Sequence, residues 1–326
     1  MQVVPDITAL PEKQIRKLLE EQGFPEALLE ACRSDARAGV RGLARSEERR
    51  QAARRREDQR LKAMVSFERA HRARGFDAVA GVDEVGRGPL AGPVVAACVV
   101  LPFDEPIPGV DDSKKLSPER RERLDLEIRA RASGVGIAEV DAAEIDRINI
   151  LQASKRAMEL AIHSCAPAQP DFLLIDAVKL PAVELPQLVL IHGDSRSYAI
   201  AAASIVAKVY RDRLMAGLDA RYPHYGFAAN KGYGTQEHMD ALERLGPCEI
   251  HRRSFAPVTA YVLPSCRLYL EAIGRAGSLV TLRRAGLEIR ANGSHLTASE
   301  LEALRQAYRQ RLQDLGGRFD SPSAAY

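Results

Sequence analysis

Between residues 76 and 262 the chain contains five short apolar runs that are rich in β-branched residues. The first two, DAVAGVD and GPVVAACVVL, are separated only by a glycine-rich turn, which predicts a hairpin-like pair of strands. The other three, GVGIAEV, DFLLID and QLVLI, alternate with helical stretches, as strands do when helices cover a sheet. The pattern predicts an α/β domain built on a mixed sheet that is flanked by helices.

The segments on either side of this region have a different texture. Residues 1–75 are polar and predicted to be helical, and the stretch from Arg41 to Arg74 has twelve Lys or Arg against five Asp or Glu. That excess fits either a solvated helix with charge pairs four residues apart or a surface that follows phosphates. Residues 263–326 are also predicted to be helical, with mixed charges and a modest apolar face. They suit a packing helix or an element that docks a protein partner.

The composition argues against several classes of protein. The five cysteines are widely spaced and form no CxxC pair, which disfavours both a disulfide framework and a zinc site. The N-terminal residues show no basic patch followed by an apolar run, and no stretch approaches 18 uninterrupted apolar residues. We therefore expect a cytoplasmic protein. No self-complementary apolar seam is visible, so we also expect a monomer.

Acidic residues stand at the ends of three of the predicted strands. Asp83 and Glu84 follow AGV, Asp176 ends FLLID, and Asp194 follows LVLIHG just before a long helix. Like charges raise one another's pKa, and divalent cations remove that penalty. Oxygen ligands without Cys or His companions indicate Mg²⁺ or Mn²⁺, which suits phosphodiester hydrolysis. Taken singly, each acid could instead form a salt bridge or cap a helix, and capping is a serious alternative for Asp194.

The sequence GRGPLAG after the first acidic pair superficially resembles the glycine fingerprint of dinucleotide-binding proteins. That fingerprint lies between a strand and a helix. Here the following residues, PVVAACVVL, are predicted to form another strand, and an acidic pair directly before the glycines would repel a pyrophosphate. We reject a nicotinamide-dependent enzyme on these grounds, although cofactor binding without divalent metal would be simple to test.

Six motifs occur in order through roughly residues 67–260: GVDEVGRGPLAGPVVAACVVL, DDSKKLSPERRERL, LLIDAVKLP, HGDSRSYAIAAASIVAKVYRDR, YGFAANKGYGTQEHMDAL and GPCEIHRRSFAPV. Together they resemble bacterial ribonuclease HII, the type 2 ribonuclease H family. The resemblance implies an RNase H-like fold and endonucleolytic cleavage of the RNA strand in RNA–DNA hybrids, giving 5′-phosphomonoesters. It also implies incision 5′ to single ribonucleotides embedded in duplex DNA, as in ribonucleotide and RNA primer removal during DNA replication and repair.

The resemblance also assigns roles to individual residues. It implies four catalytic carboxylates that bind Mg²⁺ or Mn²⁺: Asp83, Glu84, Asp176 and Asp194. The loop Gly86, Arg87 and Gly88 would grip the ribonucleotide at an RNA–DNA junction, and Tyr233 would stack on the adjoining deoxyribose.

Physical reasons support part of this assignment. Glycines let main-chain amides approach the 2′-hydroxyl, the group that distinguishes RNA from DNA at a given site. We therefore expect alanine at Gly86 or Gly88 to impair substrate selection more than folding. Ser113 and Lys114, in DDSKKLSP, could contact phosphates of the DNA strand, or could simply belong to a polar loop before a helix. Two other interpretations stay open: a different nuclease or transferase on the same kind of sheet, and a non-catalytic nucleic-acid-binding module.

Overall fold

The computed structural model describes residues 6–21, 23–262, 266–293, 296 and 298–317. At its centre lies a six-stranded sheet with the strand order β4-β3-β2-β1-β5-β6. The strands are β1 (Val79–Val85), β2 (Val94–Val100), β3 (Gly134–Val140), β4 (Ala166–Pro167), β5 (Phe172–Asp176) and β6 (Gln187–Leu190). β1 pairs antiparallel with β2 but parallel with β5, which in turn pairs parallel with β6. The predicted mixed sheet and its first hairpin are confirmed, whereas the two-residue β4 was not predicted.

Helices cover both faces of this sheet, and β2 shows how. All seven residues of β2 are buried. Val95, Ala97 and Val99 face one hydrophobic cluster, and the alternate residues face another, as the two-residue period of a strand requires. The helices of this region are α5 (Pro118–Arg131), α6 (Ala142–Ile148), α7 (Ile150–His163), α8 (Tyr198–Arg221), α9 (Phe227–Asn230), α10 (Gln236–Leu245) and α11 (Val258–Val262).

The N-terminal residues form four helices, α1 (Glu12–Glu21), α2 (Glu26–Arg33), α3 (Ala38–Met64) and α4 (Ser66–Arg72). α1, α2 and the first turns of α3 enclose a small apolar cluster of their own. The end of α3 instead contributes Leu61 and Met64 to the main core. Glu68 in α4 is fully buried, and its Oε1 accepts hydrogen bonds from Ser197 Oγ at 2.7 Å and from the amide of Ala199 at 2.9 Å. The extension therefore supports the start of α8.

The C-terminal residues form three further helices, α12 (Cys266–Arg275), α13 (Leu279–Asn292) and α14 (Ala298–Asp314). They enclose a separate apolar cluster that includes Tyr269, Ile273, Leu282 and Leu304. The helical character predicted for this tail is therefore observed over its described residues. None of the helices in the described ranges is both long and apolar enough to cross a bilayer.

Candidate active site

The parallel pairing of β1 with β5 brings two of the predicted carboxylates to one edge of the sheet. Val82 is registered opposite Ile175, so Asp83 and Asp176 follow at the same level on neighbouring strands. Asp176 is in turn registered with Leu190, the last residue of β6. The chain leaving β6 passes through a short 3₁₀ turn, Gly193–Ser195, which contains Asp194. The fold thus gathers acids from three strands that are far apart in sequence.

Helix α8 fixes the position of this turn because its first residues press directly against β1. A Cβ atom on Gly81 would lie 2.0 Å from the carbonyl carbon of Ala199, so a side chain there is incompatible with the packing. The helix is capped by Ser197, whose hydroxyl accepts a hydrogen bond from the amide of Ile200. Ser197, and not Asp194, is therefore the cap of α8. The amide of Gly193 donates to Asp176 Oδ1 at 2.7 Å, which ties the turn to β5.

Burial and mutual repulsion make this cluster unfavourable as a set of bare carboxylates. Burial, followed by the charges of Glu84 and Asp176, raises the pKa of Asp83 well above its ordinary value. Burial also raises the pKa of Glu84, although the nearby Arg87 opposes the effect. The pKa of Asp176 is raised by burial and, to a smaller extent, by Asp194. The site therefore favours added positive charge or protons.

Two cations partly supply that charge from the solvent side. Lys114 Nζ lies 3.0 Å from Asp194 Oδ2, and Arg87 Nη1 lies 3.2 Å from Glu84 Oε1. The Lys114 side chain is 80% exposed, so this ion pair contributes little to stability. Within the described part of the chain, Glu84 Oε2 is buried without a hydrogen-bond partner. The cluster thus keeps an unsatisfied acceptor beside two cations that can be displaced.

Two of the three glycines in the loop between β1 and β2, Gly86 and Gly88, are subject to different constraints. Gly86 has φ of +91°, and a Cβ there would lie 2.3 Å from Arg211 Nε and 2.9 Å from the carbonyl oxygen of Pro93. Gly88 has no such conflict, because a Cβ there would meet Tyr233 Cε1 at 3.8 Å. The Tyr233 ring is 42% exposed. Gly88 and the exposed Tyr233 therefore lie next to each other at the surface, whereas Gly86 belongs to the packed base of the loop.

Of the two residues in the DDSKKLSP segment, the structure exposes one and buries the other. The Ser113 hydroxyl is buried 2.9 Å from that of Ser204, and Ser204 also hydrogen-bonds to Asp83. Ser113 therefore supports the acidic cluster from the protein interior through Ser204, whereas exposed Lys114 reaches it from the solvent side. Contact of either residue with a DNA phosphate stays a prediction. All ten residues singled out from the sequence lie in this one region.

Nothing in the sequence marks two buried arginines that hold the glycine loop. Arg211, on α8, donates from Nε to the Pro93 carbonyl at 2.9 Å and from Nη2 to the Ala91 carbonyl at 3.1 Å. Arg252 donates to the carbonyls of Gly86 and Gly92. Both side chains are fully buried, a rare state for arginine that only the tertiary structure reveals. The backbone of the loop is consequently fixed from beneath.

Comparison with known proteins agrees with this architecture. The family model for ribonuclease HII matches residues 80–258, and that for the ribonuclease HII N-terminal domain matches residues 13–72. Ribonuclease HII from Geobacillus kaustophilus is 50% identical over 246 residues, which cover 76% of this chain and 94% of that protein. Ribonuclease HII from Enterococcus faecalis is 52% identical over 230 residues, covering 71% and 89%.

Among solved structures, ribonuclease H2 from Pyrococcus horikoshii OT3 superimposes with a TM-score of 0.48 at 27% identity, covering 57% of this chain and 97% of that one. The first family model spans more than half of the 326 residues, and the relatives match over most of their own length. The chain belongs to the ribonuclease HII family, the type 2 ribonucleases H.

Proposed function

We propose that this enzyme cleaves the RNA strand of RNA–DNA hybrids and incises 5′ to single ribonucleotides embedded in duplex DNA, with Asp83, Glu84, Asp176 and Asp194 holding the divalent cations it needs. Membership of the family supports ribonuclease H activity on hybrids. The observation that carries the finer proposal is that the acidic cluster lies beside Gly88 and the exposed Tyr233, which we propose form the two walls of a ribonucleotide cleft. A scissile phosphate at the carboxylates would place the adjoining sugar in that cleft.

The donor set of the cluster suits Mg²⁺ or Mn²⁺. All its donor atoms are carboxylate oxygens, and Glu84 Oε2 is buried without a hydrogen-bond partner among the described residues. Those residues do not yet surround one point: no three Asp, Glu, His or Cys side chains in the described ranges are placed to hold a metal ion. Side-chain rotation of the carboxylates, and release of Lys114 and Arg87, would have to accompany metal binding. We infer that these two ion pairs compensate the cluster without metal.

Bound divalent cations would lower the pKa of the attacking water and neutralise the scissile phosphate. The protein's own residues would then have two tasks around the scissile phosphate. The carboxylates come from β1, from β5 and from the turn after β6, and their backbone positions define the region where the phosphate would sit. Lys114 and Arg87, once released from Asp194 and Glu84, can contact flanking phosphates on the exposed side.

Selection of a ribonucleotide would take place in the cleft. Because Gly88 has no side chain, main-chain amides of the loop could approach a 2′-hydroxyl there. The exposed Tyr233 ring on the opposite wall can stack on the adjoining deoxyribose, and sequence-independent stacking of this kind is common on exposed aromatics. The two walls together would recognise an RNA-to-DNA junction.

An end-labelled DNA duplex with one ribonucleotide tests this function directly. We expect incision 5′ to the ribonucleotide in Mg²⁺ or Mn²⁺, no incision in EDTA, and no incision of an all-DNA duplex. Cleavage of a continuous hybrid without incision at the single ribonucleotide would retain the ribonuclease H activity and contradict the junction proposal. Binding without any cleavage would favour a non-catalytic module.

The position of the basic stretch of α3 supports our proposal that it extends the substrate-binding surface. Glu57 Oε1 accepts a hydrogen bond from the amide of Gly109 at 2.7 Å, and Arg60 Nη2 donates to the carbonyl of Val110 at 2.8 Å. These contacts join α3 to the segment that leads to Lys114. The preceding turn of α3 exposes three consecutive arginines: Arg54, Arg55 and Arg56. Exposed arginines next to a phosphate-contacting segment are suited to follow the duplex backbone.

Replacing Arg54, Arg55 and Arg56 with alanine is therefore expected to weaken hybrid binding without abolishing turnover. Each lost phosphate contact lowers the slope of log K against log salt by about 0.9, so the slope should fall by up to about 3. Fluorescence anisotropy titrations between about 50 and about 200 mM salt measure this slope. A matched triple variant at exposed Arg267, Arg275 and Arg284 in the C-terminal helices controls for net charge. Equal slopes for the wild type and the α3 variant would contradict a role for α3.

Point substitution is preferable to deletion here. Removal of the whole extension would also remove Glu68, whose buried carboxylate binds the start of α8. A truncated protein would consequently mix weaker binding with a disturbed active site.

A further inference from the structure

Arg252 lies directly beneath the glycine loop and binds both of its ends. Its Nη2 donates to the carbonyl of Gly86 at 2.5 Å and Nη1 to that of Arg87 at 2.9 Å. Nε and Nη2 also donate to the carbonyl of Gly92, at 3.0 and 2.9 Å. The side chain is fully buried, and burial followed by the charge of Arg211 lowers the pKa of Arg252 to about 9. One guanidinium therefore sets the distance between the start and the end of the loop.

His251, the neighbouring residue, begins a hydrogen-bonded chain that ends at Tyr233. His251 Nδ1 lies 2.9 Å from the amide nitrogen of Cys248, and its Nε2 lies 3.0 Å from His238 Nε2. His238 Nδ1 lies 2.9 Å from the carbonyl oxygen of Tyr233. Both imidazoles are buried, at 1% and 0% exposure.

The partners at the two ends of this chain determine where its protons lie. The Tyr233 carbonyl can only accept, so His238 Nδ1 must donate to it, which leaves His238 Nε2 as an acceptor. The Cys248 amide can only donate, so His251 Nδ1 accepts and His251 Nε2–H donates to His238. Every ring nitrogen is then satisfied with both imidazoles neutral. Burial, followed by the proximity of His238, accordingly lowers the pKa of His251 to about 4.

The same short segment is joined to the loop through its backbone. The amide of Arg252 donates to the carbonyl of Leu90 at 2.8 Å, and the amide of Gly92 donates to the carbonyl of Ile250 at 2.9 Å. Ala91 and His251 form an isolated antiparallel bridge. Residues 250–252 thus connect the glycine loop to the Tyr233 side of the cleft.

We propose that His238, His251 and Arg252 are positioning residues that set the two walls of the ribonucleotide cleft. Arg252 acts through the carbonyls of the glycine loop, and His251 acts through His238, which binds the Tyr233 carbonyl. The inference rests on the proposed roles of the Gly88 loop and Tyr233. A cleft that distinguishes a ribose from a deoxyribose by one hydroxyl group needs walls whose positions are fixed to within about 0.5 Å. Because His251 and Arg252 are adjacent in one short segment, they keep the distance between the two walls constant.

A double-mutant cycle between His238 and Tyr233 tests the first wall in the full-length enzyme. His238→Phe removes the donor to Tyr233 but keeps an aromatic ring, and His163→Phe at an exposed site is the matched control. We expect His238→Phe to raise KM for the single-ribonucleotide duplex by on the order of tenfold, as small misplacements do, with a smaller change in kcat. His238→Asn, whose amide can still donate to the Tyr233 carbonyl, should recover part of that loss.

The double-mutant cycle distinguishes a positioning role exerted through Tyr233 from a nonspecific disturbance of the fold. In the Tyr233→Ala background, His238→Phe should have no further effect, because the wall it positions has been removed. Fully additive losses would overturn the inference. A Tyr233→Ala protein that cleaves the junction normally would instead refute the proposed role of Tyr233. If Tyr233→Ala impairs junction cleavage while His238→Phe does not, the proposed function stands and the positioning role falls.

Arg252→Lys tests the second wall, since an ammonium keeps the charge but lacks the planar fork that reaches three carbonyls. Assayed well below its own Tm, this variant should lose on the order of tenfold in kcat/KM on the single-ribonucleotide duplex. The loss should shrink in the Gly88→Ala background, where the glycine wall is already obstructed. A lower Tm with unchanged kinetics would show that Arg252 only stabilises the fold, and would overturn its positioning role.

Discussion

Asp83→Asn is expected to reduce cleavage at least about a hundredfold in Mg²⁺ or Mn²⁺ while duplex binding is retained. Asp83 is 5% exposed and lies at the end of β1 beside Glu84 and Asp176. Asparagine has nearly the same shape but no charge, so the variant should fold while losing a strong oxygen ligand. The end-labelled single-ribonucleotide duplex measures cleavage, and fluorescence anisotropy in EDTA measures binding.

A conservative substitution of the same kind at the surface provides the control. Asp104 is exposed and forms an ion pair with Arg72 away from the acidic cluster, so Asp104→Asn should behave as the wild type. Undiminished cleavage by the Asp83 variant would remove this carboxylate from the proposed metal site. Loss of binding together with cleavage would indicate a structural role instead.

In the absence of metal, Asp83→Asn should also have a larger free energy of unfolding than the wild type. Burial and the charges of Glu84 and Asp176 raise the pKa of Asp83, so its ionisation opposes folding at every pH above its unfolded value. Asparagine removes that cost, and each 1 kcal/mol gained should raise Tm by about 1–2 °C in a protein of 326 residues. Adding Mg²⁺ or Mn²⁺ should stabilise the wild type more than Asp83→Asn. Equal metal-induced shifts in calorimetry would contradict metal binding by Asp83.

The strands and their terminal acids could be predicted because the signal is local. The run FLLID is buried over its first four residues and places Asp176 at the sheet edge, as an apolar strand with a terminal acid should. The parallel pairing of β1 with β5, which joins distant parts of the chain, then brings Asp83 to the same edge. Convergence of the acids therefore needs both the local signal and the strand order β1-β5-β6, which the sequence did not specify.

Other features depend on contacts between distant parts of the chain, which a local pattern does not contain. Arg252 binds carbonyls some 160 residues earlier in the sequence, and its own surroundings, HRRSF, resemble an ordinary basic loop. Glu68 lies within a strongly basic helical stretch, yet the approach of α8 buries it completely. Asp194 and Ser197 are both good capping residues, and the packing of α8 against Gly81 selects Ser197.

Gly86→Ala is expected to lower thermal stability, whereas Gly88→Ala is expected to lower junction cleavage, although the sequence alone does not distinguish the two glycines. At Gly86 the added Cβ would meet Arg211 and the Pro93 carbonyl in a left-handed conformation, which costs about 2–4 kcal/mol. Differential scanning calorimetry should therefore show a Tm lowered by about 3–6 °C. At Gly86 these contacts argue against the expectation that alanine impairs substrate selection more than folding.

At Gly88 the added Cβ meets only Tyr233 Cε1, at an ordinary contact distance of 3.8 Å, so Tm should stay within about 2 °C of the wild type. The methyl group would nevertheless project into the cleft where the ribose is proposed to lie. Cleavage of the single-ribonucleotide duplex should then fall by on the order of tenfold, since the loop amides can no longer approach the 2′-hydroxyl. A Gly88→Ala enzyme with unchanged Tm and unchanged junction cleavage would place ribonucleotide recognition outside this cleft. A Gly86→Ala enzyme as stable as the wild type would show that Arg211 can yield, and that the base of the loop is less rigid than its hydrogen bonds indicate.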